Sequence, residues 1–198
     1  MAFTRIKIFV SVFLIIIINT GVISAQGKNK IQYSLTETDT SYTFKGTFKI
    51  NADPGCLINI FFSYEHLCAL APDAVVTLTE KGDVWNQVGY LYKKYGYFEN
   101  RSEWFRELDK QHYKVKFTLI SSENNKSIMP VMKSSSGYYQ VKKKDNFYIV
   151  IYYQECTLSE SALTNIYLNK AEKEAIIFLE RLAEYSCTHC GVSSPIND

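Results

Sequence analysis

Tyr42-Thr-Phe-Lys-Gly-Thr-Phe-Lys-Ile-Asn-Ala-Asp-Pro54 carries the pattern on which the fold turns. Tyr42, Phe44, Gly46, Phe48 and Ile50 fall on one side, and Thr43, Lys45, Thr47 and Lys49 on the other. That period of two is expected of a half-buried strand. Asn51-Ala52-Asp53-Pro54 ends it, because Asp53 can accept from the free amides of a helix start and proline is tolerated at the first helical position. One or two short helices are therefore predicted over residues 54–70.

On the N-terminal side, residues 26–32 are polar and read as a lead-in, and residues 31–38 are predicted to pair back across Asp39-Thr40-Ser41. On the C-terminal side the chain returns to strands, at 75–80 and 84–95 around the turn Lys81-Gly82-Asp83, and then at 98–108. The Glu and Arg content of 98–108 makes it the least strand-like of the set. Residues 112–121 alternate cleanly, with Tyr113, Val115, Phe117 and Leu119 against Lys114, Lys116, Thr118 and Ile120; a loop is expected around Asn124-Asn125. Residues 137–143 and 147–157 read as a hairpin turning at Lys144-Asp145-Asn146. Between 163 and 187, Leu168, Ala171, Ala175, Ile176, Leu179, Leu182 and Ala183 recur at spacings of three and four, the stripe of an amphipathic helix.

A strand, a helical pair after the Asn-Ala-Asp-Pro step, a run of antiparallel strands and one long closing helix, Leu168-Asn-Lys-Ala-Glu-Lys-Glu-Ala-Ile-Ile-Phe-Leu-Glu-Arg-Leu182, is a distinctive order. It resembles the START and Bet v 1-like (helix-grip) superfamily over about residues 31–187, as an exported bacterial-type member. The resemblance implies an α+β fold in which a curved antiparallel sheet wraps a long C-terminal helix. It further implies a space between the two that holds lipids or other apolar molecules. Tyr90, Trp104, Phe117, Ile151 and Leu179 are the expected ligand-binding wall residues. Tyrosine suits such a wall because its ring is apolar while its hydroxyl can orient a ligand. Alternation also groups Arg101, Glu103 and Glu107 on one face, where they would bind a head group if that face pointed inward and form a solvated charged surface if it did not.

Three functional readings follow: a binding or carrier protein for a small hydrophobic ligand or lipid, a cyclase- or hydrolase-like enzyme of the same fold, and a non-catalytic adaptor with a filled core. No GxSxG, HExxH, P-loop or dinucleotide motif is present, and nine glycines leave little for a phosphate-cradling loop. The first reading is thus the binding protein, with the enzyme left open as an alternative, and no cofactor, no metal and no catalytic residue is assigned. Nucleic acid is disfavoured because the net charge of +2 is supplied by Arg5 and Lys7, and Lys142-Lys143-Lys144 reads as a solvated hairpin tip.

Of the five cysteines, Cys56, Cys68, Cys156, Cys187 and Cys190, at least one must stay unpaired or pair between chains. Cys187-Thr-His-Cys190 has CxxC spacing but closes a helix, whereas a redox site gains its low thiol pKa by opening one. A zinc site would need more ligands, from His189 with Cys156 or from His66 and Cys68. The N-terminus has the three parts of a secretory signal: Arg5 and Lys7, the apolar run 8–18, and small residues ending at Ala25. The run is short of the roughly 20 residues of a spanning helix, and Gln26-Gly27 follows where a lipoprotein would place cysteine. The expected organisation is a signal peptide at 1–25, one domain at 26–190 and a tail at 191–198. The mature protein is expected to be periplasmic or secreted, with no stable membrane anchor.

Overall fold

In the structure, a computed structural model, residues 17–24, 30–94 and 98–191 are described. Nine strands form one antiparallel sheet: β1 (Ile17–Ser24), β2 (Lys30–Glu37), β3 (Ser41–Ile50), β4 (Ala74–Lys81), β5 (Trp85–Lys94), β6 (Phe98–Asp109), β7 (Lys114–Asn124), β8 (Met132–Lys144) and β9 (Phe147–Leu158). Their order is β1-β2-β3-β9-β8-β7-β6-β5-β4. Two short helices, α1 (Pro54–Phe62) and α2 (Tyr64–Leu70), follow β3, and the long α3 (Thr164–Cys190) closes the chain. A curved antiparallel sheet gripping a C-terminal helix is the arrangement expected from the sequence.

The segment from Tyr42 to Pro54 does what its pattern predicts. Phe44, Phe48 and Ile50 are buried on the inner face of β3, Asp53 Oδ2 accepts from Cys56 N at 2.6 Å, and Pro54 opens α1. Gly46 gives α3 its seat, because a Cβ there would collide with the Leu179 side chain. Leu179 and Leu182 are fully buried against this face, along with Leu57, Ile60 and Phe61 of α1. Each such side chain contributes about 1.5–3 kcal/mol by leaving water. A satellite cluster of Cys156, Leu158 and Leu168 packs the other end of α3. Between them, Ala171, Ala175, Ile176 and Phe178 are only half-buried.

The sheet forks. β7 meets β8 only from the Lys114–Gln140 pair to the Thr118–Ser136 pair. Beyond that point β7 continues on β6, with a bulge opposite Glu103 and Trp104, while Met132–Ser135 of β8 stay on β9. The loop between the two prongs reaches α3 through the Tyr167 hydroxyl and Met129 Sδ, 3.8 Å apart.

Cys56 and Cys190 form a disulfide that ties the first turn of α1 to the last turn of α3, across a sequence separation of 134. The CxxC pair therefore does not close on itself. Cys68, Cys156 and Cys187 are outside any disulfide. Cys156 lies beside Leu168 near the start of α3, about 30 Å along the helix from His189 at 1.5 Å per residue, so these two cannot share an ion.

Of the export signal, residues 1–16 and 25–29 lie outside the described residues, and Ile17–Ser24 is the edge strand paired to β2. Gly191 bridges Ala52, and the rest of the expected tail, 192–198, also lies outside. Among the described residues no helix is long and apolar enough to cross a membrane.

Candidate functional site

Strand pleating decides which of the expected site residues face the helices. On β6, Ser102 and Arg106 are buried with Trp104 between them, so even-numbered residues point inward. Arg101, Glu103 and Glu107 consequently lie on the outer face, where Arg101 pairs with Glu99 at 3.6 Å and Glu107 with Lys116 at 3.8 Å. The inward-facing alternative for this trio is not what forms. On β9, Val150 and Tyr152 are buried inside, which turns Ile151 to the outer face between Thr47 and Gln140. Ile151 is therefore no wall residue, a one-residue register reversal. Leu179 faces inward but is pressed onto β3 with no free surface.

Tyr90, Trp104 and Phe117 come together with partners that the sequence reading did not select. The Phe117 ring stands edge-on to Trp104 at 5.8 Å and meets Tyr139 at 5.3 Å and Tyr152 at 6.1 Å. Gly137 makes room for it, since a Cβ there would strike the Phe117 ring. Tyr139 and Tyr152 stack at 5.2 Å, and both reach Phe178 of α3, at 6.4 and 5.4 Å. Phe61 of α1 covers Tyr139 at 5.3 Å. Tyr90 and Tyr92 stack at 6.3 Å on β5.

Burial raises the phenol pKa of Tyr90, Tyr92, Tyr139 and Tyr152. Their charges are coupled: Tyr139 feels Tyr90 and Tyr92, and Tyr152 feels Tyr139 and Tyr92. Yet Tyr90 and Tyr139 are only half-buried, and Tyr92 is 41% exposed. These rings share the inner face of the sheet, and Tyr139 and Tyr152 meet the half-buried middle of α3 at Phe178. Tyr92 interacts electrostatically with Asp73, Glu174 and Arg181, and Arg181 bonds Leu70 O at 3.1 Å and pairs with Asp73 at 3.7 Å.

Arg106, two residues beyond Trp104 on β6, is 3% exposed. Its guanidinium donates to Phe62 O at 3.0 Å and to Phe61 O, two carbonyls at the end of α1. Such orphan carbonyls carry the negative end of the helix dipole. Asn86 Nδ2 also donates to Phe62 O at 3.0 Å, while its Oδ1 has no partner among the described residues. Desolvation lowers the Arg106 pKa, and only Tyr90 and Tyr139 oppose it. Arg106 was findable: Trp104 was read as a wall residue, and a strand puts the residue two further on the same face.

Two hollows open on the outer face of the sheet. One, of about 520 Å³, is lined by hydroxyls of β3, β8 and β9 such as Ser41, Thr43, Ser136 and Thr157. The other, of about 450 Å³, spans β4–β7 over Thr77, Gly89, Arg101 and Glu103. Both are open to solvent, and neither encloses an apolar molecule enough to remove it from water.

No protein-family profile matches the chain, and no curated protein sequence does. Solved structures do match. The STAR-related lipid transfer protein from Xanthomonas axonopodis superposes with a TM-score of 0.63 at 10% identity, over 84% of this chain and 97% of that one. The Zhui aromatase/cyclase from Streptomyces sp. R1128 gives 0.60 at 12% identity, over 77% and 99%. Ginseng major latex-like protein 151 from Panax ginseng gives 0.53 at 16% identity, over 76% and 98%. At these identities the likeness is one of fold, and the fold of this chain is the helix grip of the START and Bet v 1-like superfamily.

Proposed function

We propose that the protein is an exported binding or carrier protein that holds a small apolar molecule, such as a lipid, among the aromatic side chains between β5, β6, β8 and α3. The observation that carries this reading is the aromatic cluster of Trp104, Phe117, Tyr139 and Tyr152 against Phe178 of α3, with Tyr90, Trp104 and Tyr139 only half-buried. A ligand would exchange water for ring faces there and turn its polar end to the phenols. Entry would follow movement of the middle of α3 away from the sheet. The STAR-related and latex-like folds support a ligand-holding role by analogy of fold alone. Export is supported by the Cys56–Cys190 bond, of a kind kept in oxidising compartments.

An enzyme of the same fold needs a group that exchanges protons near neutral pH. Around Arg106 and Tyr139 stand phenols pushed up and no carboxylate or imidazole, and the carboxylates beside Tyr92, Asp73 and Glu174, are exposed, so binding is the better-supported use. Native mass spectrometry of the mature protein from its own host, with organic extraction of whatever co-purifies, tests the proposal. An adduct that is an apolar small molecule is the expected result. An adduct-free protein that also refuses a panel of lipids would leave the filled-core adaptor as the reading.

A further inference from the structure

The outer face of the sheet, turned away from the helices, carries a charge pattern that the nearly neutral composition of the chain conceals. It presents Lys45 and Lys49 on β3, Lys114 and Lys116 on β7, and Lys142 on β8, because their neighbours Phe44, Phe48, Val115, Phe117 and Val141 are buried on the inner side. The register fixes what lies between them. Tyr153 and Tyr138 stand in the row from Lys45 to Lys116, Ile151 and Gln140 in the row from Thr47 to Lys114, and Ile149 between Lys49 and Lys142. The two tyrosines stack at 5.2 Å. The lysines of β3 and β7 thus form two columns three strand spacings, or about 14 Å, apart, with an apolar and aromatic strip in the middle.

These charges are poorly matched within the protein. Among the described residues, Lys116 has Glu107 at 3.8 Å, but Lys45, Lys49, Lys114 and Lys142 have no carboxylate in ion-pair range. Lys49 lies over the Phe147 ring at 5.0 Å and Lys114 over Tyr138 at 4.0 Å instead. Glu155, at the fork end of the patch, accepts from Ser136 at 2.8 Å and from Tyr153 at 3.3 Å. Cations on both sides of a half-buried apolar strip complement a negative surface that extends in two dimensions. An anionic polymer would follow one column and leave the other unused. Lysine is a flexible point charge suited to scattered headgroups, whereas arginine marks fixed, bidentate sites. Tyrosine belongs at the headgroup level of a bilayer.

We propose that this face docks on a membrane containing anionic lipid, with the lysines toward the headgroup phosphates and Tyr138, Tyr153, Ile149 and Ile151 at the interface. The contact is peripheral and electrostatic, so salt releases it. It goes beyond the carrier reading and does not depend on it.

Co-sedimentation tests it, with vesicles of phosphatidylcholine alone against phosphatidylcholine containing one-third phosphatidylglycerol. Binding is expected to the anionic vesicles only, and to be lost at high salt. Lys45→Ala, Lys114→Ala and Lys142→Ala combined should weaken it about a hundredfold, at about fivefold per lysine. Lys170→Ala with Lys173→Ala, exposed on α3 across the molecule, should leave it unchanged. Equal binding to the two vesicle types, none to either, or the same loss from the α3 pair would overturn the proposal. So would capture by a soluble polyanion, heparin, without capture by the anionic vesicles.

Discussion

Tyr139 and Tyr152 stack in the interior and are held neutral by burial, with their pKa raised above the ordinary phenol value. A folded-state pKa above the unfolded one gives stability that is fully present below about pH 10 and is lost as pH climbs toward the folded value. Each phenol then withdraws up to about 1.4 kcal/mol per pH unit. Spectrophotometric titration should show the exposed tyrosines ionising first and these two only together with alkaline unfolding; gradual ionisation of every tyrosine near pH 10 would contradict their burial. At this scale the sequence was half legible. Alternation puts Tyr90, Trp104 and Phe117 of β5, β6 and β7 on the inner face, where they lie, but it sets Ile151 one pleat off and favours Arg101 and Glu103 over their inward neighbour Arg106. A charge pattern read without fixing the strand's phase finds the solvated face, because most charges are there.

Elements were more legible than side chains. β6 looked least like a strand, yet it runs from Phe98 to Asp109, because Glu99, Arg101, Glu103 and Glu107 all occupy its outer face and do not disturb the inner one. The first half of β8, Met132–Ser136, was not foreseen, since Lys133-Ser134-Ser135-Ser136 lacks the branched and aromatic residues that mark strands. β1 went unread because its apolar residues belong to the run assigned to export. The cysteine pairing was invisible for another reason: it joins α1 to α3, and only tertiary structure brings them together. In the chain-entropy account, closing a loop of this length is worth about 5 kcal/mol. Cys56→Ser should lower the Tm by on the order of 10 °C in calorimetry, and by as much as a reductant lowers it in the wild type. A change within 2–3 °C would mean that native packing alone holds the end of α3.

Across the whole molecule, the sheet order places α3 over β2 and β3, with α1 over β6–β8, so the two helices divide the inner face and meet over the aromatic cluster, Phe61 of α1 on Tyr139 and Phe178 of α3 on Tyr139 and Tyr152. The export proposal has its consequence at this scale. Cleavage after Ala25 would remove β1 and pass the sheet edge to β2, whose outward residues Gln32, Ser34 and Thr36 are polar, a tolerable edge. The intact mass of the protein recovered from its host should correspond to a chain starting at Gln26; a chain that keeps residues 1–25 would overturn the proposal. The fork between β7 and β8 bears on how such a sheet yields. Five residue pairs join its two halves there, against twelve between β8 and β9. The β7–β8 ladder is thus the shortest in the sheet, the seam with the fewest backbone bonds to break if the sheet were to open.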